Sequence, residues 1–257
     1  MKNTVMKTAL RSKRGYDIPL TAAIDGAEAL CLVIHGFGSS KESPTATFLL
    51  EEFPKRGIGV AALDLPAHGK SPGDGEYLRI ANCLADIGTV DAWLGSQCPE
   101  KEIFYFGSSF GAYLALLYLA GVKSAGKKAF LRSAAVCMPD LMRELAPKEK
   151  ESLAAQGYVE LGSDYGYFRP LKLTRGFFED LDENDVFSIW RPEYGELAMI
   201  HGEADEEVPV AEATRFAEKF AVPITVVPGG DHRLSIPGAQ DLVLARALEF
   251  FGSLQNS

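Results

Sequence analysis

No apolar run in this 257-residue chain approaches the roughly 20 residues needed to cross a bilayer, so a membrane-spanning helix is not expected. The opening stretch, Met1 to Gly15, is basic but has no apolar core of the signal-peptide kind, and a cytoplasmic location is therefore expected. Cysteine is scarce. Cys31, Cys83, Cys98 and Cys137 form no C-x-x-C pair, Cys31 and Cys137 lie in apolar strand-like runs, and the four read as reduced, structural thiols. Basic residues are outnumbered, with 26 Lys and Arg against 35 Asp and Glu, and the net charge of -9 disfavours a polyanionic partner such as nucleic acid. Histidine is limited to four positions, so few side chains can act as a neutral-pH base. No metal or cofactor is expected.

What is present is the makings of one large α/β domain: 47% hydrophobic and 24% charged residues, in a chain long enough to bury a sizeable core. Its organising stretch is Phe104-Tyr105-Phe106-Gly107-Ser108-Ser109-Phe110-Gly111, followed by an apolar run from Tyr113 to Ala120. The pattern reads as a buried strand, an abrupt turn and a buried helix. Gly107-x-Ser109-x-Gly111 suits a turn in which a strained serine projects its hydroxyl beyond the sheet, while glycines on either side let strand and helix approach. The amide of Phe110, at the positive end of that helix, is then a candidate donor to a developing oxyanion.

The rest of the chain has an alternating rhythm. Strands are expected at Tyr16 to Ile24, as a strand or hairpin, and at Ala29 to Ile34, Ile58 to Leu63, Ile103 to Phe106, Ala129 to Met138, Leu197 to Ile200 and Ile224 to Val227. Helices are expected from Ser43-Pro44 to about Pro54, from Leu78 to Leu94, and from Ala239 to Phe251. Such alternation predicts a mostly parallel, doubly wound sheet with its active-site loops at the carboxyl ends of the strands. Between residues 140 and 195 the rhythm breaks. Leu141 to Gln156 reads as short helices, and Tyr158 to Leu161 with Tyr167 to Leu173 reads as a hairpin. The expected division is therefore 1–139 and 196–257 for the core, with 140–195 as an inserted cap. The cap holds 9 of the 26 Phe, Tyr and Trp in a fifth of the chain, which suits either a roof over an apolar pocket or the glue that fixes the cap to the core.

Candidate groups fall at the strand ends. His35-Gly36-Phe37-Gly38 follows one buried strand and offers the amide of Phe37 as a second oxyanion donor. A serine hydroxyl needs a base, and the base needs an acid on its far nitrogen to fix its tautomer. With the order serine, acid, histidine, His201 and His232 both lie downstream of Ser109, and His201 precedes the acid candidates, which leaves His232 as the base. Asp205, four residues past a strand end, is the leading acid, with Glu203 and Asp140 as rivals. His68, in the loop after Asp64, reads as structural.

Five motifs together resemble the α/β-hydrolase superfamily of serine esterases: His35-Gly36-Phe37-Gly38, Asp64-x-x-x-His68-Gly69-x-Ser71, Gly107-Ser108-Ser109-Phe110-Gly111, His201-Gly202-x-x-Asp205-x-x-Val208-Pro209, and Gly230-Asp231-His232. The resemblance spans nearly the whole chain and implies Ser109 as nucleophile, His232 as base and Asp205 as orienting acid. The short cap also resembles that of bacterial cinnamoyl and feruloyl esterases, although Ser108 stands where those enzymes commonly carry histidine. Ala67-His68-Gly69 likewise replaces the usual Gly-His-Gly.

The activity implied is hydrolysis of small to medium acyl or aromatic acyl esters. For a phenolic substrate, Asp140 and Tyr165 are the candidate binders of its hydroxyl. The alternatives are an acyl thioesterase or peptidase with the same triad, and a ligand-binding scaffold without turnover. The expected partner is a small-molecule ester, with neither nucleic acid nor membrane, and the expected state is a monomer or homodimer.

Overall fold

The strand that carries the glycine-serine motif, β5 (Ile103–Ser108), is buried along its whole length at the centre of an eight-stranded sheet. The computed structural model describes residues 4–123, 126–162 and 169–252. The other strands of the sheet are β1 (Met6–Arg11), β2 (Asp17–Ala23), β3 (Ala29–Ile34), β4 (Ile58–Leu63), β6 (Lys128–Arg132), β9 (Glu196–Gly202) and β10 (Ile224–Val227). Their spatial order is β1-β2-β4-β3-β5-β6-β9-β10, with β1 and β2 antiparallel to their neighbours and the rest parallel. This is the α/β-hydrolase fold.

Both faces of the sheet are covered, which explains why its central strands read as continuous apolar runs rather than alternating ones. Leu30, Leu32 and Ile34 of β3 and Tyr105 of β5 enter one core, together with α2 (Ile80–Gln97) and α3 (Phe110–Val122). Cys31 and Val33, with Phe104 and Phe106, enter the other, beneath α1 (Pro44–Glu52) and α9 (Ala239–Phe251). Phe104 stacks flat on Phe251 with ring centroids 4.5 Å apart. The period of two along each strand thus sorts its side chains between two dry cores.

Three of the departures from the sequence expectation have a specific physical cause. The basic N-terminus supplies a real edge strand, β1, whose exposed face carries Lys7 and Arg11 in place of the apolar signal that marks a buried strand. The apolar run from Ala129 does not stay extended to Met138. It leaves the sheet after Arg132, where Ser133 takes φ +47° and donates its amide to the Ile200 carbonyl, and Met138 instead opens α4 (Met138–Arg143). A short buried loop and a buried strand have the same composition, so periodicity could not separate them.

The third boundary is the start of α2, at Ile80 rather than Leu78. The cause lies a hundred residues away. Beyond α4, the chain forms α5 (Pro147–Gln156), an antiparallel pair β7 (Tyr158–Leu161) and β8 (Leu171–Thr174), α6 (Arg175–Glu183) and α7 (Val186–Ile189). A further helix, α8 (Val210–Phe220), lies between β9 and β10. Asp180 on α6 accepts the Ile80 amide at 2.9 Å and the Arg79 guanidinium at 2.7 and 2.5 Å, so a remote carboxylate satisfies an orphan donor at the start of α2. Phe177, fully buried, packs against Phe37 and Phe110 with centroids 5.9 and 6.2 Å away. These aromatics fix the segment to the core.

The loop after β4 is held by one buried carboxylate. Asp64 accepts the amides of Lys41 and Lys70 at 2.8 and 2.9 Å and lies 3.3 Å from the Lys41 ammonium, so it staples the loop before α1 to the loop after β4. Burial pushes two neighbouring histidines down, His35 to about 4 and His68 to about 3, and both are neutral at physiological pH. The Leu65 amide donates to His35 Nε2 at 3.1 Å, which leaves Nδ1–H to donate to the Gly36 carbonyl at 2.8 Å.

Two measurements check this account. Replacing Asp180 with alanine is expected to lower stability by about 2 kcal/mol in urea unfolding, through loss of the α2 cap and the paired Arg79. Lowering the pH below about 6.5 lets the unfolded chain protonate His68 while the folded chain does not, so stability falls toward the folded-state value. A His68→Asn variant should flatten that fall between pH 6.5 and 4.5 by up to about 1.4 kcal/mol per pH unit. An unchanged slope would show that His68 protonates freely in the fold.

Candidate active site

Ser109 sits between β5 and α3 with φ +54° and ψ -118°, a conformation that L-residues adopt only under constraint. The surrounding packing imposes it. A Cβ on Gly107 would lie 2.5 Å from the Ala112 Cα, and one on Gly111 would run into the carbonyl oxygen of Ile34. Strand and helix can therefore cross this closely only with glycine at both positions. The Ser109 amide donates to the Arg132 carbonyl at 2.9 Å, and its carbonyl accepts from Ala112, Tyr113 and Ala135, so the strained residue is held by both β6 and α3.

The serine hydroxyl lies 3.0 Å from His232 Nε2, and His232 Nδ1 lies 2.8 Å from Asp205 Oδ2. An ionised carboxylate only accepts, so Nδ1 carries the proton and Nε2 is free to accept from Ser109. Asp205 itself is buried and fully engaged. Its Oδ1 accepts the amides of Glu207 and Val208 at 3.0 and 2.8 Å, and its Oδ2 takes a second imidazole, His201 Nε2, at 3.0 Å. Burial alone would raise this carboxyl, but the donors from His201, His232 and the Val208 amide outweigh it and hold the group well below the usual carboxylate range. It stays charged beside the imidazole.

The sequence sets His201 aside as the base because it precedes the acid candidates, and assigns it no other role. Its contact with Asp205 was not legible, because four residues across a strand end do not fix a side-chain direction. Nε2 also lies 2.9 Å from the Val208 carbonyl, so it bears the proton and shares it between two acceptors. Two residues at the end of β6 were missed as well. Ser133 Oγ donates to the His232 carbonyl at 2.8 Å, and the Arg132 guanidinium donates to the Arg233 carbonyl. Together they brace the histidine loop against the same strand end that holds Ser109.

The other candidates divide. Phe110 is the first residue of α3, where helix amides have no intrahelical acceptor. Gly36, just before Phe37, lies so near that its Cβ would be 3.3 Å from the Ser109 Cβ, which puts the Phe37 backbone beside the serine. Glu203 is exposed and accepts the Gly229 amide at 3.0 Å instead of approaching His232. Asp140 is not among the residues lining the cavity at Ser109: α4 turns Met138, Leu141 and Met142 inward at helical spacing, and the exposed Asp140 carboxylate pairs with Arg143 at 2.5 Å. Tyr165 lies outside the described residues.

The cavity that Ser109 and His232 border has a volume of about 500 Å³, and Phe37, Met138 and Leu141 are among the residues that line it. No group of three or more His, Cys, Asp or Glu that could hold a metal ion occurs among the described residues, and no helix among them is long and apolar enough to cross a membrane. The arrangement suits nucleophilic chemistry: a hydroxyl within hydrogen-bond distance of an imidazole whose tautomer a buried carboxylate fixes.

Comparison with known proteins bears on the class. No curated protein matches the chain. Among solved structures, a hydrolase candidate from Agrobacterium vitis is 25% identical with a TM-score of 0.81, over 95% of this chain and 99% of that one. A Butyrivibrio proteoclasticus protein solved with ferulic acid bound is 18% identical with a TM-score of 0.81, over 96% and 100% of the two chains. An esterase of Pyrococcus furiosus is 21% identical with a TM-score of 0.72, over 97% and 91%. Residues 25–161, just over half of the sequence and including β3, the Asp64 loop and the Ser109 turn, match the family described as serine aminopeptidase, S33. The chain belongs to that family and is a hydrolase of the α/β-hydrolase fold.

Proposed function

We propose that the chain is a serine carboxylesterase acting on small to medium acyl or aromatic acyl esters, with Ser109 as nucleophile, His232 as general base and Asp205 as orienting acid. The observation that carries this reading is the unbroken line from Ser109 Oγ to His232 to Asp205, 3.0 and 2.8 Å per step, opening on the cavity of about 500 Å³. A cavity of this size suits a compact acyl group and its alcohol. In the same reading, residues 140–195 form a cap, and α4, which crosses its first boundary, supplies apolar lining with Met138, Leu141 and Met142.

The reaction follows from where protons can go. Ser109 Oγ attacks the ester carbonyl carbon as its proton passes to His232 Nε2, and the carbonyl oxygen becomes an oxyanion held by the Phe37 and Phe110 amides. Asp205 stabilises the imidazolium. Collapse breaks the carbon–oxygen bond to the alcohol, which leaves with the proton from Nε2, and an acyl-serine remains. Water then attacks that ester with His232 as base again, releasing the acid and restoring Ser109.

A second reading, cleavage of an aminoacyl amide, draws on the family description and on Glu207, whose exposed carboxylate lies 3.6 Å from His232 Nε2 at the cavity wall and could meet a substrate ammonium. For a thioesterase acting on coenzyme A esters, Lys41 is buried against Asp64 and Arg169 donates to the Ser71 carbonyl, so neither of these two cations offers a phosphate site at the cavity.

The test is turnover of p-nitrophenyl acetate, butyrate and octanoate, methyl ferulate, and aminoacyl p-nitroanilides. The esters should be cleaved faster than the anilides, and Ser109→Ala and His232→Ala should each lose about a thousandfold or more. Cleavage of anilides in preference to every ester would favour the second reading, and a protein that hydrolyses nothing and takes no fluorophosphonate label would be a binding scaffold. The His201 contact makes a separate prediction. Removing its donor with His201→Phe should lower kcat about tenfold while KM changes little, because Asp205 loses one of its four donors.

A further inference from the structure

Arg132 is a buried cation with no carboxylate within ion-pair distance among the described residues. It is 8% exposed at the carboxyl end of β6, opposite Ser108 in the sheet register and one backbone hydrogen bond from Ser109. Its guanidinium has five donors, and among the described residues one protein acceptor is assigned to it, the Arg233 carbonyl. It forms no ion pair there: the carboxylates of Asp231 and Asp205 favour its charge from beyond ion-pair distance while the Arg233 cation opposes it, and both acids already accept from other donors, Asp231 from Ser235 and Asp205 from His201, His232 and two amides. Burial lowers Arg132 to about 10, which still leaves it cationic at neutral pH.

A buried, unpaired charge is costly unless something meets it. Arg132 lines the cavity at Ser109, as does the exposed Arg233, which has no ion pair among the described residues. The two acids that line the same cavity do not cancel them. Glu42 is already met by Lys7, Lys41 and Lys70 at 3.2, 3.5 and 3.0 Å, which hold it ionised but spent, and Glu207 faces His232. Met138, Leu141 and Met142 supply apolar lining to the same cavity.

We infer that Arg132, seconded by Arg233, is a carboxylate subsite of this cavity, so that the preferred substrate is an ester carrying a second, free carboxylate. The inference rests on the proposed esterase reading and adds a substrate class to it. A planar guanidinium with spare donors binds a carboxylate through two parallel hydrogen bonds, and burial strengthens them. The carboxylate can belong to the acyl or the alcohol half of the ester. Both halves must pass close to Ser109 and His232, and Arg132 is adjacent to both loops.

The experiment compares matched pairs by pH-stat. Monoethyl glutarate against ethyl valerate places the carboxylate on the acyl half; 4-(acetoxymethyl)benzoate against its amide places it on the alcohol half. In one of the two pairs the anionic ester is expected to show about tenfold or more higher kcat/KM, falling as NaCl is raised. Arg132→Gln should bring that ratio to near one. The ratio normalises any loss of activity from a disturbed His232 loop, and if Arg132→Gln does not fold, Arg233→Gln and the salt dependence of the wild-type ratio provide the same test. Equal or lower rates for the anionic member of both pairs would overturn the subsite and leave the esterase reading standing.

If the wild type cleaves none of the four, the esterase reading fails by itself. Calorimetric titration of the same pairs into Ser109→Ala then decides the subsite: tighter binding of an anionic member keeps it, and equal binding removes it.

Discussion

The first turn of α3 is pressed against the carboxyl end of β3 with no room for a single methyl group, and the site geometry depends on that approach. Because Gly111 lies under the Ile34 carbonyl, the helix starts directly behind Ser109, and the serine is forced to a positive φ with its hydroxyl clear of the sheet. The same approach brings the loop after β3, with Gly36 and Phe37, alongside the serine. Two groups of amides and a nucleophile candidate thus share a few ångströms because two glycines permit a contact, and the favourable packing of the buried helix supports the strained residue.

Around this point the electrostatics are arranged by strand ends. The end of β6 does three things at once: its Arg132 carbonyl takes the Ser109 amide, its Ser133 hydroxyl holds the His232 carbonyl, and its Arg132 guanidinium holds the next carbonyl. The loop after β9 contributes a carboxylate with all its acceptor capacity in use, between His201 and His232 and over two amides. A carboxylate so surrounded has one orientation available to it, and it imposes one tautomer on His232.

Much of this was legible in the sequence, for identifiable reasons. The Gly-x-Ser-x-Gly spacing records a steric requirement, and buried parallel strands write themselves as apolar runs, so β3, β4, β5 and the Ser109 turn could be placed from residue types alone. The order of serine, acid and histidine singled out residues that the fold brings within hydrogen-bond distance. What could not be read were side-chain directions across loops. His201 touching Asp205, Asp64 stapling two loops, and Arg132 lying unpaired at the cavity all depend on how strand ends face each other. Asp140 shows the converse: its sequence neighbours line the cavity, while helical rotation carries its own carboxylate outward. The end of β6 eluded pattern reading because a buried loop is as apolar as the strand before it.

The cap on α2 has a consequence for how the chain is made. Asp180 reaches the start of that helix from a hundred residues downstream, and Tyr113 on α3 donates to the Asn184 carbonyl of the same segment at 2.8 Å. During synthesis, α2 and α3 leave the ribosome long before either partner exists, and for that interval the first turn of α2 lacks this acceptor and the Tyr113 hydroxyl lacks its carbonyl. Completion of the first half of the core is therefore tied to arrival of the α6 segment, a long-range closure of the kind that slows folding. The α6 segment thus completes the packing of α2 and α3, and a chain that ends before residue 180 would present an unfinished helix terminus rather than a smaller stable domain.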